Sequence, residues 1–408
     1  MGKIRSQRTP TSNFDDLSET LLEAEGGWDD KDNASLRRKQ RQEKEDEDED
    51  EELEFGTVMK TLSGHEDAIL CLDFNHPKGI LVSSSLDGTV RAWDLQLNQC
   101  IGMLEGHSST VRCLQLDNAR LFTGSDDGTI RHWDLTAIPP IRSPTSMDSF
   151  SNFSSAPSSP TLSTVTAAED LVPSFNDGGL GVFQGHTGEI TALYTDHQTI
   201  VSGSNDRTMK QWDIETQQCI LTLDVQWASK GGNTSFSSGW DTLAALENWT
   251  LDSLRYTNFE RSSDYIGALQ FWNFALANGT VDGKIRMWDL RTGQAHRTLP
   301  GHNAAVTCLQ FDEVHLVSGS ADKTIRIWDL RTGSVFDTLT YEGPVTSLQF
   351  DAGKIISGSN SAQIDIYNRT SFQHTSLVGH SEPVNSIRFR NNVLASGSRD
   401  HAIKLWAL

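Results

Sequence analysis

Long apolar runs are missing from this chain, and none approaches the roughly 20 residues a helix needs to cross a bilayer. Basic residues are scarce: 34 Lys and Arg stand against 55 Asp and Glu, a formal charge of −21. That balance excludes the basic footprint of sequence-independent nucleic-acid binding and opposes direct docking on anionic lipid. The start, MGKIRSQRTPTSNFDD, has no apolar core and does not read as a secretory signal. Cysteine numbers only five, with no C-x-x-C pair, which removes the usual zinc and redox spacings. No P-loop and no lone nucleophile–base motif is present. Together these absences predict a cytoplasmic chain with no cofactor, no metal, no nucleic-acid partner and no direct membrane insertion. Other proteins are left as the expected partners.

Residues 1–55 read as an acidic, mostly disordered tail. Between Glu43 and Glu54, ten of twelve positions are acidic, and such a run repels itself and stays solvated. One stretch differs, FDDLSETLLEAEGGW. Leu17, Thr20, Leu21 and Ala24 fall on one helical face, with Asp15 or Asp16 as a cap and Gly26-Gly27 as a stop. This predicts a short amphipathic helix over about residues 15–25, marginal in isolation. Leu17, Leu21 and Leu22 are the tail's candidate partner-binding residues. No heptad seam follows, so no coiled coil is expected.

From Gly56 onward the chain repeats itself. Gly-His pairs end at His65, His107, His186, His302 and His380. Trp-Asp pairs begin at Trp93, Trp133, Trp212, Trp288 and Trp328, with Tyr367 and Trp406 as looser equivalents. Four of the spacings are 39 or 40 residues; the other two, 79 and 76, each hold one unit and an insertion. Within a unit, LVSGS, a turn at Asp322-Lys323 and TIRIWDL alternate as strands around a tight turn. A period near 40 with four strands per unit is that of a propeller blade. The prediction is an all-β, seven-bladed WD-repeat β-propeller over 56–408, with a Ser/Pro-rich insertion at about 136–181 and a second at about 224–265. The first insertion reads as a disordered loop. Its Ser143 and Ser159 precede prolines and are candidate phosphorylation sites. The second keeps Trp227, Trp240 and Trp249, which predicts partial packing. The last unit lacks a fourth strand, and GTVMKTL at Gly56–Leu62 is an orphan that should complete it, closing the ring and removing two edges.

Ser, His and Asp suggest a hydrolase triad, but here they recur as sets with Trp. The sets are His65, Ser83, Asp87 and Trp93; His107, Thr123, Asp127 and Trp133; His186, Ser202, Asp206 and Trp212; His302, Ser318, Asp322 and Trp328; and His380, Ser396, Asp400 and Trp406. An enzyme needs one nucleophile–base pair, not five. A buried indole needs an acceptor, which Ser or Thr supplies while donating to His. Asp then holds the other ring nitrogen. The sets are therefore expected to be structural tetrads. The fourth unit lacks His and the sixth has Ser361 and Tyr367 in place of Asp and Trp, so these two blades are expected to be the least stiff. Cys71, Cys113 and Cys308 share one repeated position, and Cys100 and Cys219 another, as small buried hydrophobes do.

The GH…SGSxDxTIRIWDL units are similar to those of the WD-repeat propeller family, whose members are mostly platforms for other proteins. CIGMLEGHSSTVRCLQL, LTLDVQWA and, after a gap, YIGALQFWNFALANGTVDGKIRMWDLRTGQAHRTLPGH resemble the fungal mitochondrial division adaptors over about Leu81–Asp351. The resemblance implies a propeller that binds a dynamin-related GTPase at the mitochondrial outer membrane. It also implies an N-terminal helical region that meets a tail-anchored TPR-like receptor, and a dimerising coiled coil. Here the coiled coil is absent and the helical region is reduced to FDDLSETLLEAE. The alternative resemblance is to F-box-type substrate receptors of ubiquitin ligases, which read phosphorylated segments with an arginine clamp. Of the positions where such a propeller meets its ligand, only Arg112 and Arg399 are basic, too few for a clamp. These two are the propeller's candidate partner-binding residues.

Overall fold

The computed structural model describes residues 55–75, 79–137, 174–175, 179–225 and 266–408. Seven sheets account for most of the described residues. Each is built on an antiparallel four-strand blade whose strands follow one another from the central axis outward, and one sheet carries a short fifth strand in parallel at its edge. Blade 1 is β2–β5 (Ile69–Asn75, Ile80–Ser85, Val90–Asp94, Gln99–Leu104), and blade 2 is β6–β8 (Val111–Asp117, Arg120–Ser125, Ile130–Asp134) with β10 (Gly179–Phe183). Blade 3 is β11–β14 (Ile190–Thr195, Thr199–Ser204, Thr208–Asp213, Cys219–Asp224) and blade 4 is β15–β18 (Ile266–Trp272, Ala275–Thr280, Lys284–Asp289, Gln294–Pro300). Blade 5 is β19–β22 (Val306–Phe311, His315–Ser320, Thr324–Asp329, Ser334–Thr340) and blade 6 is β23–β26 (Val345–Phe350, Lys354–Ser359, Gln363–Asn368, His374–Val378). Blade 7 is β27–β29 (Val384–Arg390, Val393–Ser398, Ile403–Ala407) with β1 (Val58–Leu62) outermost.

The chain closes through β1. Leu62 pairs with Ile403 and Val58 with Trp406, and the Gly56 N–H donates to the Ala407 carbonyl at 2.8 Å. The outer strand of blade 2 begins at Gly179, so the first insertion ends before the expected residue 181. The backbone of β9 (Ser174–Phe175) pairs in parallel with Met103–Leu104 on the outer edge of blade 1.

The second strand of each blade lies between neighbouring blades and is almost wholly buried, as in His315–Ser320. That explains the repeated S-G-S. A Cβ at Gly319 would lie 2.6 Å from both Cys308 Sγ and Val345 Cγ1, and one at Gly279 would lie 2.5 Å from Val306. Glycine at this position admits the first inner-strand residue of the next blade. The outer strands are half exposed and alternate, as in Ser334–Thr340, the period-2 pattern of a one-sided strand.

Two further devices join blade to blade. In every blade the pairing of inner and second strands skips one residue, between Val306 and Cys308 for example. The skipped residue is a β-bulge, which frees and re-aims its side chain. The second device is a side-chain amide that copies a peptide group. Gln349 accepts from the Phe389 N–H at 2.7 Å and donates to its carbonyl at 2.9 Å. Gln115 does the same to Thr195 and Gln270 to Phe311. In blade 1, Asp73 accepts from the Leu116 N–H of blade 2 and, where the ring closes, pairs with Arg390 of blade 7 at 3.2 Å.

Successive strands alternate in direction, so connections alternate between two faces. One face carries the Gly-His loops and the aspartate turns. The opposite face carries the turns between first and second strands and between third and outer strands.

Candidate functional site

The repeated Ser, His, Asp and Trp come together once per blade beneath the histidine face. In blade 5, Trp328 Nε1 donates to Ser318 Oγ at 2.8 Å. Ser318 Oγ lies 2.8 Å from His302 Nε2, and His302 Nδ1 lies 2.9 Å from Asp322. The carboxylate can only accept, so Nδ1 carries the proton, Nε2 accepts, and the serine hydroxyl donates. The corresponding contacts in blades 1, 2, 3 and 7 all lie between 2.7 and 2.9 Å. Local sequence aims the groups. Gly106 places the loop against Trp133 at φ +155°, where a Cβ would lie 2.6 Å from Arg131 and 3.1 Å from the Trp133 ring.

Each aspartate gathers more donors than the sequence sets contain. Asp322 also accepts from the Asn303 N–H at 2.9 Å, the Thr324 N–H at 3.0 Å and the Thr324 hydroxyl at 2.6 Å. Thr89, Thr129 and Thr208 repeat this in blades 1 to 3. Burial alone would raise these carboxyls, but the histidine and threonine donors outweigh it. Asp87, Asp127, Asp206 and Asp322 are held well below the usual carboxylate range, and Asp400 is also lowered, by His380 and backbone donors. Burial lowers His65 from its ordinary value, against the pull of Asp87. Ser83, Thr123, Ser202, Ser318 and Ser396 are each 0% exposed. A hydroxyl sealed between an indole and an imidazole has no approach for an acyl substrate, and what the arrangement does is lock loop, turn and strands together.

Blades 4 and 6 carry substitutes that the sequence reading did not identify. In blade 4, Trp288 donates to Asn278 Oδ1 at 2.7 Å. Arg286, 3% exposed, pairs with Asp282 at 2.9 Å and donates to Thr280 Oγ1 at 2.7 Å. In blade 6 the Tyr341 hydroxyl stands 3.2 Å from Ser357 Oγ, as histidine does elsewhere. Burial pushes the Tyr341 phenol up to about 12. Ser361 bonds Ser359 at 2.8 Å, and Tyr367 is buried where other blades have Trp. Both blades therefore have polar networks of their own, and in blade 4 the Asn278 Nδ2 group stays buried without a partner.

A channel of about 230 Å³ follows the axis, lined by the inner strands, among them Leu70, Arg112, Thr191, Thr307, Thr346 and Asn385. These six are bulge residues, and most are sewn into the next blade. Thr191 donates to the Ile266 carbonyl at 2.8 Å, Thr307 to Val345 at 2.6 Å, Thr346 to Val384 at 2.6 Å and Asn385 to Ile69 at 2.9 Å. Arg112 is ion-paired with Asp126 at 2.7 Å. Arg399 is 8% exposed and donates to Asn385 at 3.3 Å. Both candidate arginines thus have partners within the ring. Among the described residues, no group of three or more His, Cys, Asp or Glu could hold a metal ion, and no helix is long and apolar enough to cross a membrane. Leu17, Leu21, Leu22, Ser143 and Ser159 lie outside the described residues.

The family profile described as "WD domain, G-beta repeat" matches residues 56–94, 98–134, 179–213, 293–329 and 371–407. The two blades without a match are those whose histidine is replaced. The chain is similar to "Mitochondrial division protein 1" of Malassezia globosa, 43% identical over 312 residues, covering 72% of this chain and 43% of that protein. The protein of the same name from Coccidioides immitis is 39% identical over 314 residues, covering 72% of this chain and 42% of its own. That of Aspergillus oryzae is 37% identical over 266 residues, covering 62% and 36%. The chain thus spans less than half the length of these relatives. Among solved structures it is similar to the computationally designed protein Ika8, with a TM-score of 0.57 and 26% identity over 86% of this chain and all of that one.

Proposed function

The chain is a seven-bladed WD-repeat β-propeller, and from that premise we propose that it is a non-enzymatic adaptor that recruits a dynamin-related GTPase for mitochondrial fission. The observation that carries this reading is the 43% identity to a protein named for mitochondrial division. The match covers 72% of the chain, and the propeller is the part of the molecule built to present surfaces. The tetrads supply rigidity and no accessible nucleophile, which supports a platform over a catalyst.

The reading places the chain in the cytoplasm, on the cytosolic face of the mitochondrial outer membrane when recruited. Recruitment runs through the segment around Leu17, Leu21 and Leu22, which would meet a tail-anchored TPR-like receptor. Ordering such a segment on binding has a cost, so its affinity is modest.

The test is retention of a purified fungal dynamin-related GTPase by the immobilised full chain. Retention supports the adaptor reading; no retention at micromolar concentrations overturns it. A Leu17→Ala/Leu21→Ala/Leu22→Ala variant should keep the GTPase and lose mitochondrial co-localisation. Normal co-localisation would remove the recruitment half alone.

A further inference from the structure

Eleven large apolar side chains are exposed among the described residues, and their placement is one-sided. All but Val378 lie in turns of the face opposite the histidines, or in the part of a strand beside it. They are densest on blades 4 to 6. Trp272 is 42% exposed, Phe274 57%, Val314 54%, Phe336 73% and Phe372 70%.

Bonds on this face tie the three blades together. Arg291 lies over the Phe274 ring at 5.3 Å. Arg297 of blade 4 donates to the Leu330 carbonyl in blade 5, and the Leu330 N–H donates to the Val314 carbonyl at 2.9 Å. His315 packs on Phe336 with ring centroids 6.5 Å apart. Arg369 of blade 6 lies 3.3 Å from His315, in the turn that holds Phe372. Scattered apolar residues on a surface are ordinary, but a contiguous set marks an interaction site.

Charge decides what fits there. All three cation–ring contacts among the described residues lie on this face: Arg291 over Phe274, Lys354 over Phe389 and Arg369 over Phe350. Two of the turn carboxylates are held by backbone donors and keep their charge. Asp312 accepts from the Val314 and His315 N–H groups, and Asp351 from those of Gly353 and Lys354. Among the described residues no carboxylate pairs with Lys354 or Arg369, whereas Arg291 is paired with Asp289. Glu313 is the one turn carboxylate of blade 5 without such a bond. The histidine face is the reverse: it exposes Glu66, Glu105, Glu342 and Glu382.

We propose that this arc is the docking surface for a partner segment bearing an apolar stripe flanked by carboxylates. The proposal rests on the adaptor reading and adds the face and the chemistry. Such a segment would cover the rings and meet the cations at its margins. A lysine-flanked segment would be repelled by Lys354 and Arg369. Anionic lipid is disfavoured by the chain's charge of −21.

The test uses the full chain and two labelled 18-residue helical peptides. Both carry leucines on one face, flanked by glutamates in one and by lysines in the other. Fluorescence anisotropy should show the glutamate peptide binding at least about tenfold more tightly than the lysine peptide. Phe336→Ser/Phe372→Ser and Lys354→Glu should each weaken it by about tenfold, while Glu105→Lys/Glu342→Lys should not. Lys354 is half-buried and the other positions are exposed, and an unchanged melting curve checks that each variant folds. Equal binding by all variants, or preference for the lysine peptide, overturns the proposal. So does a dimer or an attachment to anionic vesicles that Phe336→Ser/Phe372→Ser abolishes. A variant that loses the peptide but still retains the GTPase overturns the arc as the adaptor's docking surface and leaves the adaptor reading standing. A wild-type chain that binds the peptide but not the GTPase overturns the adaptor reading and leaves the arc.

Discussion

The Ser318 hydroxyl illustrates how much one buried atom depends on its neighbours. It accepts from Trp328 and donates to His302, whose other nitrogen rests on Asp322. Removing the ring strands both ends, so His302→Ala should destabilise by about 1–3 kcal/mol. The check is a lowered denaturant midpoint with an unchanged slope; an unaltered midpoint would contradict the network. The aspartates predict a pH dependence. Their folded values lie below the unfolded value of 3.8, so the unfolded chain binds more protons as pH falls through about 4. Stability is therefore full above that range and is lost on acidification through it. His65, lowered from 6.5, adds a smaller loss beginning near pH 6.5. The melting temperature should dip slightly below pH 6.5 and fall steeply below about pH 4. Asp322→Asn should start lower at pH 7 and fall less steeply. The tetrad residues were legible in the sequence because they repeat. Arg286 and Tyr341 were not, because each reaches the same site from a different backbone position, one from the third strand and one from a shortened loop.

At the scale of the strand, the bulge, the glycine and the glutamine form one joint between blades. The bulge turns Thr307 to the Val345 carbonyl, Gly319 makes room for the Val345 side chain, and Gln310 accepts from the Phe350 N–H at 2.7 Å. Gly319→Ala should cost about 1–3 kcal/mol by overpacking. Gly353→Ala, in an exposed turn with its nearest neighbour at 3.7 Å, should change little. Thermal melts of the two variants provide the comparison, and equal shifts would exclude the joint as the reason for S-G-S. The strand pattern was readable from alternation, but the joint was not. A bulge is a register event between strands, and nothing in VTCLQF alone says that Thr307 is skipped.

The whole ring depends on its first strand. β1 supplies the outer edge of blade 7, and the closing junction is held by Asn385 on the Ile69 carbonyl and by Arg390 on Asp73. Deleting residues 1–62 should lower the melting temperature sharply and expose the edge of Ile403–Ala407. Deleting residues 1–54 should leave it nearly unchanged. Calorimetry on the two truncations tests this, and equal effects would contradict closure. The sequence by itself determined the seven units, the partners within each tetrad and the orphan strand that closes the ring. Those follow from period and residue type, which are properties of a line of residues. Only the tertiary structure decided that Arg112 and Arg399 are spoken for, that Arg286 and Tyr341 stand in for histidine, and that the exposed aromatics of three blades share one face. Those depend on which side chains meet across blades about 40 residues apart, and such distances exist only once the ring has closed.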